Sequence, residues 1–207
     1  MKTILCFGDS NTWGFDPEAA SRYPYEKRWP SVLASRLGPA YLVIPEGLNG
    51  RTTVWDDPVE LDKRGSSHLP SCLESHKPLD LVILMLGTND LKRRFGLGPL
   101  DIASGAQRLA KIALASATGP DDRSPAVLLV SPPPILEVGP FAEMFAGGAA
   151  TSSRLAEHFR KKAEELGIPL FNAGDHVESS PLDGIHFSPE GQRALGEALA
   201  EWVSRNL

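Results

Sequence analysis

Five short apolar runs, at residues 3–7, 41–44, 81–86, 126–130 and 168–171, constrain this chain more than any other feature. Each is rich in Val, Ile, Leu or Phe, and none alternates cleanly with polar residues. A strand with one wet face alternates, whereas a strand covered on both faces reads as a continuous apolar run. Helical periods fill the intervals. Ile102, Ala106, Leu109, Ala110 and Ala113 share a face, as do Leu155, Phe159, Ala163 and Leu166; Ala194, Leu195, Ala198, Leu199 and Trp202 form a third stripe. Ser188 before Pro189 reads as an N-cap with proline in the first turn, and Gly167 with Pro169 as a helix stop. Pro30 opens an earlier helix that Gly38 and Pro39 end. Strand alternating with helix predicts an α/β fold, a parallel sheet with helices on both faces. No repeat or linker divides it, so a single domain over 1–207 is expected.

Charge and composition exclude several roles. With 26 acidic against 21 basic residues the net charge is −5, and no basic footprint for nucleic acid is visible. The longest apolar run, 81–86, is far short of the roughly 20 residues that span a bilayer, so no membrane partner is expected. Gly8 and Asp9 cut the N-terminal apolar stretch well below a secretory h-region of about 7–15 residues. Cys6 and Cys72 read as small buried hydrophobes in a reducing compartment, and a cytoplasmic location is expected.

In a doubly wound sheet, functional residues lie just past the carboxyl ends of the strands. Gly8-Asp9-Ser10-Asn11-Thr12 follows the first run, Gly47-Leu48-Asn49-Gly50-Arg51 the second and Gly87-Thr88-Asn89-Asp90 the third. Asp183-Gly184-Ile185-His186 lies before the last helix, and all four segments are expected to open on one edge. Acyl transfer needs a nucleophile, a base, a group that orients the base, and donors for the oxyanion. Ser10 stands directly after a central strand at a glycine-bearing turn. His186 can take its proton, and Asp183, three residues before His186, can fix the tautomer of its ring. The N–H groups of Ser10 and Gly50 and the amide of Asn89 are the candidate oxyanion donors. Any one of these signals occurs as ordinary turn chemistry. All four in strand order, each at a carboxyl edge, point to catalysis.

At these residues the chain resembles the SGNH (GDSL-type) hydrolases, whose four signature residues would be Ser10, Gly50, Asn89 and His186, with Asp183 completing a triad. Residues 6–14, 47–53 and 85–90 are similar to its arylesterase/acyltransferase branch. Asn11 departs from the leucine of the GDSL name. The resemblance implies a three-layer flavodoxin-like fold with strand order 2-1-3-4-5. It further implies hydrolysis of small carboxylic esters with no metal or other cofactor, acyl transfer where an alcohol competes with water, and a homo-oligomer whose neighbouring subunits narrow the entrance to the site.

Other residues carry open readings. Trp13 either packs the following segment or walls the site as a substrate-binding residue. Residues 132–150 begin with three prolines and bring together Phe141, Met144 and Phe145, as a satellite of the core, a pocket wall or a subunit contact. Arg51 reads as solvated surface charge, with pairing to Asp56, Asp57 or Asp9 near the mouth as the alternative; Trp29 and Trp55 read as packing, and the histidines other than His186 as surface or satisfied groups. Carbohydrate O-acetyl ester hydrolysis is an alternative within the same chemistry. A metal-dependent phosphoesterase would need a denser ligand set than these five histidines supply. A flavodoxin-like module binding phosphate at the Ser10–Thr12 turn lacks a following lysine.

Overall fold

The computed structural model describes residues 1–207. Its sheet is built from β1 (Lys2–Gly8), β2 (Tyr41–Gly47), β3 (Leu81–Met85), β4 (Ala126–Ser131) and β5 (Leu170–Asn172), in the order β2-β1-β3-β4-β5 with every pair parallel. The seven α-helices are α1 (Ser10–Trp13), α2 (Trp29–Leu37), α3 (Gly65–His76), α4 (Pro99–Leu114), α5 (Gly148–Ser152), α6 (Leu155–Leu166) and α7 (Pro189–Asn206). A two-stranded ribbon, Phe15–Asp16 against Ser21–Arg22, follows α1 and was not legible in the sequence. No helix is long and apolar enough to cross a membrane.

The continuous apolar runs resolve into two alternating sets. Leu5, Phe7, Val82, Leu84, Val127 and Leu129 face one core, shared with residues of α3, α4 and α6 such as Leu73, Ile102 and Phe159. Their neighbours Ile4, Cys6, Ile83, Met85, Leu128 and Val130 face a second core with Trp29 and Leu33 of α2 and Leu195, Leu199 and Val203 of α7. Two covered faces explain why no polar alternation showed.

Strand and helix limits shift where prolines and glycines act. β2 runs through Pro45 to Gly47, which an edge strand tolerates because a missing N–H need not break a ladder. Ser188 Oγ accepts from the Gly191 N–H, and Gly167 closes α6 at a left-handed φ of 65°, as expected. The α7 face is rotated from the stripe read in the sequence: Ala194, Ala198 and Trp202 are half-buried, while Gln192, Leu195, Gly196 and Leu199 are buried. Gly196 causes this, because α7 crosses α2 there and a Cβ would lie 2.7 Å from the Trp29 carbonyl.

The register levels the strand ends. Gly8 lies opposite Gly47 on one side and Met85 on the other, so the turns after β1, β2 and β3 leave from one line. Gly47 also lets α1 sit against β2: a Cβ there would come within 2.6 Å of Trp13 Cα and 2.7 Å of the Thr12 carbonyl carbon. Gly47→Ala is therefore expected to lower stability by about 1–3 kcal/mol through forced backbone displacement, read as a fall in the urea midpoint, whereas Gly38→Ala meets no atom within 4 Å and tests only the backbone angle.

Candidate active site

Ser10 is the first residue of α1, and Asp9 caps it by accepting from the Asn11 N–H at 3.0 Å. Asp9 is buried; desolvation pushes its carboxyl up to about 6, against the Asn11 hydrogen bond and the nearby His186 and Arg51. At the far end of the chain, residues 183–186 fold around one carboxylate. Asp183 Oδ1 accepts from the N–H groups of Ile185 and His186 at 2.9 and 3.0 Å, and Gly184 turns the chain at φ 79°. Burial alone would raise the Asp183 carboxyl, yet the hydrogen bonds from the His186 ring and from these N–H groups outweigh it and hold it below the ordinary carboxylate value.

An ionised Asp183 can only accept, which assigns the ring protons. His186 Nδ1–H donates to Asp183 Oδ2 at 2.6 Å, leaving Nε2 to accept from Ser10 Oγ–H at 2.8 Å. All three side chains are buried. Two aromatic rings hold the imidazole: Phe15 tilts over it with centroids 4.1 Å apart, and Phe141 meets it edge-on at 5.9 Å. The arrangement can move a proton from the hydroxyl to the ring as the oxygen attacks an electrophile.

Three donors face the same pocket. The N–H groups of Ser10 and Gly50 have no acceptor within the protein, and Gly50 reaches its place through a left-handed φ of 79°. Asn89, just past β3, spends one amide hydrogen on the Arg51 carbonyl at 3.2 Å and keeps the other. The pocket holds about 150 Å³. Phe15, Phe141, Met144, Phe145 and Ile185 form its apolar wall, and Asn49, Glu60 and Lys92 its polar end.

The structure thus brings together Ser10, Asp183, His186, Gly50 and Asn89. It does not bring Trp13 with them: the turn that puts Ser10 at the pocket sends Trp13 three residues on toward β2 and the ribbon. There the Arg22 guanidinium lies 4.6 Å over its ring and Arg22 Nε donates to its carbonyl. Phe15 takes the place expected of it. Phe145 is buried in the core beneath the pocket, so only Phe141 and Met144 of that trio reach its mouth with surface to spare. Arg51 is buried, not solvated. Its Nη1 donates to the carbonyls of Gly8 and Glu46, and its guanidinium lies 4.0 Å over the Phe7 ring. Trp29 is fully buried, while Trp55 is 37% exposed and packs less than expected. No three His, Cys, Asp or Glu side chains converge as a ligand set.

Sequence reasoning missed Phe15, Glu60 and Lys92. An apolar residue five past the nucleophile was the only signal for Phe15. Nothing in the spacing marks Lys92 as buried, yet its side chain is 2% exposed, with Nζ bonded to Glu60 Oε1 at 2.6 Å and Asp57 Oδ2 at 3.3 Å. Arg94 joins the cluster, 2.6 Å from Asp57 and 2.7 Å from Glu60.

The GDSL-like lipase/acylhydrolase family model matches residues 6–194. Among solved structures, an aryl esterase from M. smegmatis is 46% identical with a TM-score of 0.95, covering 100% of both chains. A carbohydrate acetylesterase from Sinorhizobium meliloti is 42% identical with a TM-score of 0.95, again over 100% of both chains. A lipolytic G-D-S-L family member from Veillonella parvula DSM 2008, at 17% identity and a TM-score of 0.72 over 99% of this chain and 100% of that one, shares the fold. No curated protein sequence matches the chain.

The charge cluster gives the site wall a pH limit. Burial raises the Asp57 carboxyl, but hydrogen bonds from Arg94 and the Glu60 and Val59 N–H groups, with the Lys92 charge, bring it down to about 2. The unfolded carboxyl sits near 4, so this stabilisation is present above about pH 4 and is lost as pH falls toward 2. Asp57→Asn is expected to lower the melting temperature at pH 7 and to flatten its decline between pH 4 and 2, measured by circular dichroism.

Proposed function

The chain belongs to the GDSL-like lipase/acylhydrolase family and is a serine esterase, a carboxylic ester hydrolase; we propose that it hydrolyses small esters through an acyl-enzyme on Ser10. Ser10 Oγ attacks the ester carbonyl as His186 Nε2 takes its proton, and Asp183 holds the ring and stabilises the imidazolium. Charge gathering on the carbonyl oxygen is met by the N–H groups of Ser10 and Gly50 and by the free Asn89 amide hydrogen. His186 then gives its proton to the leaving alcohol. Water repeats the sequence on the acyl-enzyme, and an alcohol in its place gives acyl transfer. The whole apparatus lies in one domain, 1–207. The observation that carries this reading is the 2.8 Å contact of Ser10 Oγ with His186 Nε2 beside two N–H groups that no protein atom engages.

A pocket of about 150 Å³ favours a short acyl group. Its aromatic wall suits an aryl ester, in keeping with the M. smegmatis relative. The polar end formed by Asn49, Glu60 and Lys92 favours a second reading, an acetyl ester of a hydroxyl-rich alcohol such as a sugar, in keeping with the S. meliloti relative. The free thiols of Cys6 and Cys72 support a reducing, cytoplasmic setting. Self-association is supported by exposed Val59, Leu61, Leu136, Val138 and Leu182, which flank segments lining the mouth. A mass of two or more chains by light scattering at micromolar concentration is expected, reduced in Leu61→Asp; a monomer ends this part of the proposal.

Ser10→Ala is expected to cut ester turnover by roughly 10³-fold or more with the fold intact. Asn89→Ala should lower kcat by about 10²–10³-fold with a smaller change in KM, because its donor matters most once the oxygen is charged. Activity on aryl acetate, butyrate and octanoate and on an acetylated sugar should fall with acyl length. Full activity of Ser10→Ala, or a pure KM effect in Asn89→Ala, contradicts these assignments.

A further inference from the structure

Ser10 and His186 lie 176 residues apart in the chain, and something other than their own hydrogen bond must hold them at reacting distance. The loop carrying His186 is tied to itself, to residues 134 and 136 and to Tyr23: Ser180 N–H donates to the His186 carbonyl at 2.7 Å, Gly184 N–H to the Ser180 carbonyl at 2.8 Å, Leu136 N–H to the Gly184 carbonyl at 2.8 Å, Ser179 Oγ to the Pro134 carbonyl at 3.0 Å and Tyr23 Oη to the Phe187 carbonyl at 3.3 Å. None of these reaches the nucleophile turn. Asn11 does. Its Nδ2 donates to the Ile185 carbonyl at 3.2 Å, and its Oδ1 accepts from the Phe187 N–H at 3.2 Å. The residue after the nucleophile thereby grips both residues that flank the base. Apart from the Ser10–His186 bond itself, these are the only hydrogen bonds joining residues 9–14 to residues 176–188.

Asn11 is itself immobilised. It is 2% exposed, its N–H is held by Asp9 Oδ1, and its carbonyl accepts from Gln192 Nε2 at 3.0 Å. Gln192 Oε1 in turn accepts from the Trp29 N–H at 2.8 Å, which roots the clamp in α7 and α2. A leucine at this place, as in the motif's usual spelling, would fill the same space and make neither bond.

From this geometry we infer that Asn11 is a positioning residue, a two-bond latch that sets the distance between Ser10 Oγ and His186 Nε2. Positioning by such a clamp acts on the chemical step, where a displacement of about 1 Å can cost on the order of 10²-fold, and leaves substrate contacts alone. The inference rests on Ser10 and His186 being the reacting pair.

The test is steady-state kinetics on an aryl acetate with Ser10 labelling by a fluorophosphonate, in Asn11→Leu, Asn11→Asp and Gln192→Leu, with Ser10→Ala alongside. Asn11→Leu is expected to lower kcat by about 10–100-fold with KM within about twofold, and to slow labelling by a like factor. Asn11→Asp keeps the acceptor for Phe187 and loses the donor to Ile185, so it should fall between Asn11→Leu and the parent. Gln192→Leu loosens the root of the network but leaves both bonds to residues 185 and 187 possible, so it should lower the melting temperature and reduce kcat by a smaller factor than Asn11→Leu, separating position from general stability. A kcat for Asn11→Leu within twofold of the parent overturns the latch, as does an equal kcat loss in Gln192→Leu or a loss confined to KM. If Asn11→Leu does not fold, Asn11→Asp decides, and parental kcat there overturns the latch. An inactive Ser10→Ala beside a fully active Asn11→Leu removes the latch alone; an active Ser10→Ala removes the reacting pair.

Discussion

Gly8, Gly47 and Met85 lie level across three adjacent parallel strands, and every element of the site hangs from that line. The two glycines make it usable. A side chain at position 47 would strike the backbone of α1, and one at position 8 would strike Thr12, so the nucleophile turn can fold back over the sheet edge only where both are bare. The turn after β2 then presents the Gly50 N–H, and the turn after β3 the Asn89 amide, on the same side as Ser10. A sheet with β1 between β2 and β3 converges these turns in a way no sequential strand order would.

Beneath that edge the protein buries charge. Arg51 bonds the carbonyls of Gly8 and Glu46 at the ends of β1 and β2, joining the two strand ends where the ladder stops. Desolvation raises both Asp9 and Asp90 to about 6; Asp9 is restrained by the Asn11 N–H, Asp90 by the Thr53 hydroxyl and N–H. Such groups cost stability unless paired or hydrogen-bonded, and they cap turns that carry site residues. Asp183 is the opposite case, held ionised by the ring and loop it organises. The contrast divides the labour: raised carboxylates shape turns, while the depressed one orients the base.

Much of this was legible in the residues. Covered strands announce themselves by unbroken apolar runs, and Gly-Asp-Ser, Gly-Leu-Asn-Gly, Gly-Thr-Asn-Asp and Asp-x-x-His each mark a carboxyl edge, so the fold class and the five convergent residues could be read from the residues, while the strand order came only with the resemblance to the SGNH hydrolases. Trp13, Phe15, Arg51 and Lys92 could not. Which aromatic walls the pocket depends on the direction of the chain after a four-residue helix, and no local period encodes that. Trp13 and Phe15 lie two residues apart on the two sides of a left-handed Gly14, which sends one outward under Arg22 and the other onto His186. The burial of Lys92 depends on partners 32 and 35 residues away, and that of Arg51 on the Gly8 carbonyl 43 residues away as well as on nearby Glu46. Long-range pairing of charges leaves no trace in spacing.

Every step of this chemistry passes an acyl group through Ser10. Acid-quenching the enzyme during turnover of an aryl acetate, digesting it and locating the modification by mass spectrometry tests this directly. An acetyl group is expected on the peptide containing Ser10, forming at the rate of the first phenol burst and disappearing when substrate is exhausted. Acetyl on another residue, or unmodified Ser10 under a quench that preserves ester adducts while turnover proceeds, would contradict it.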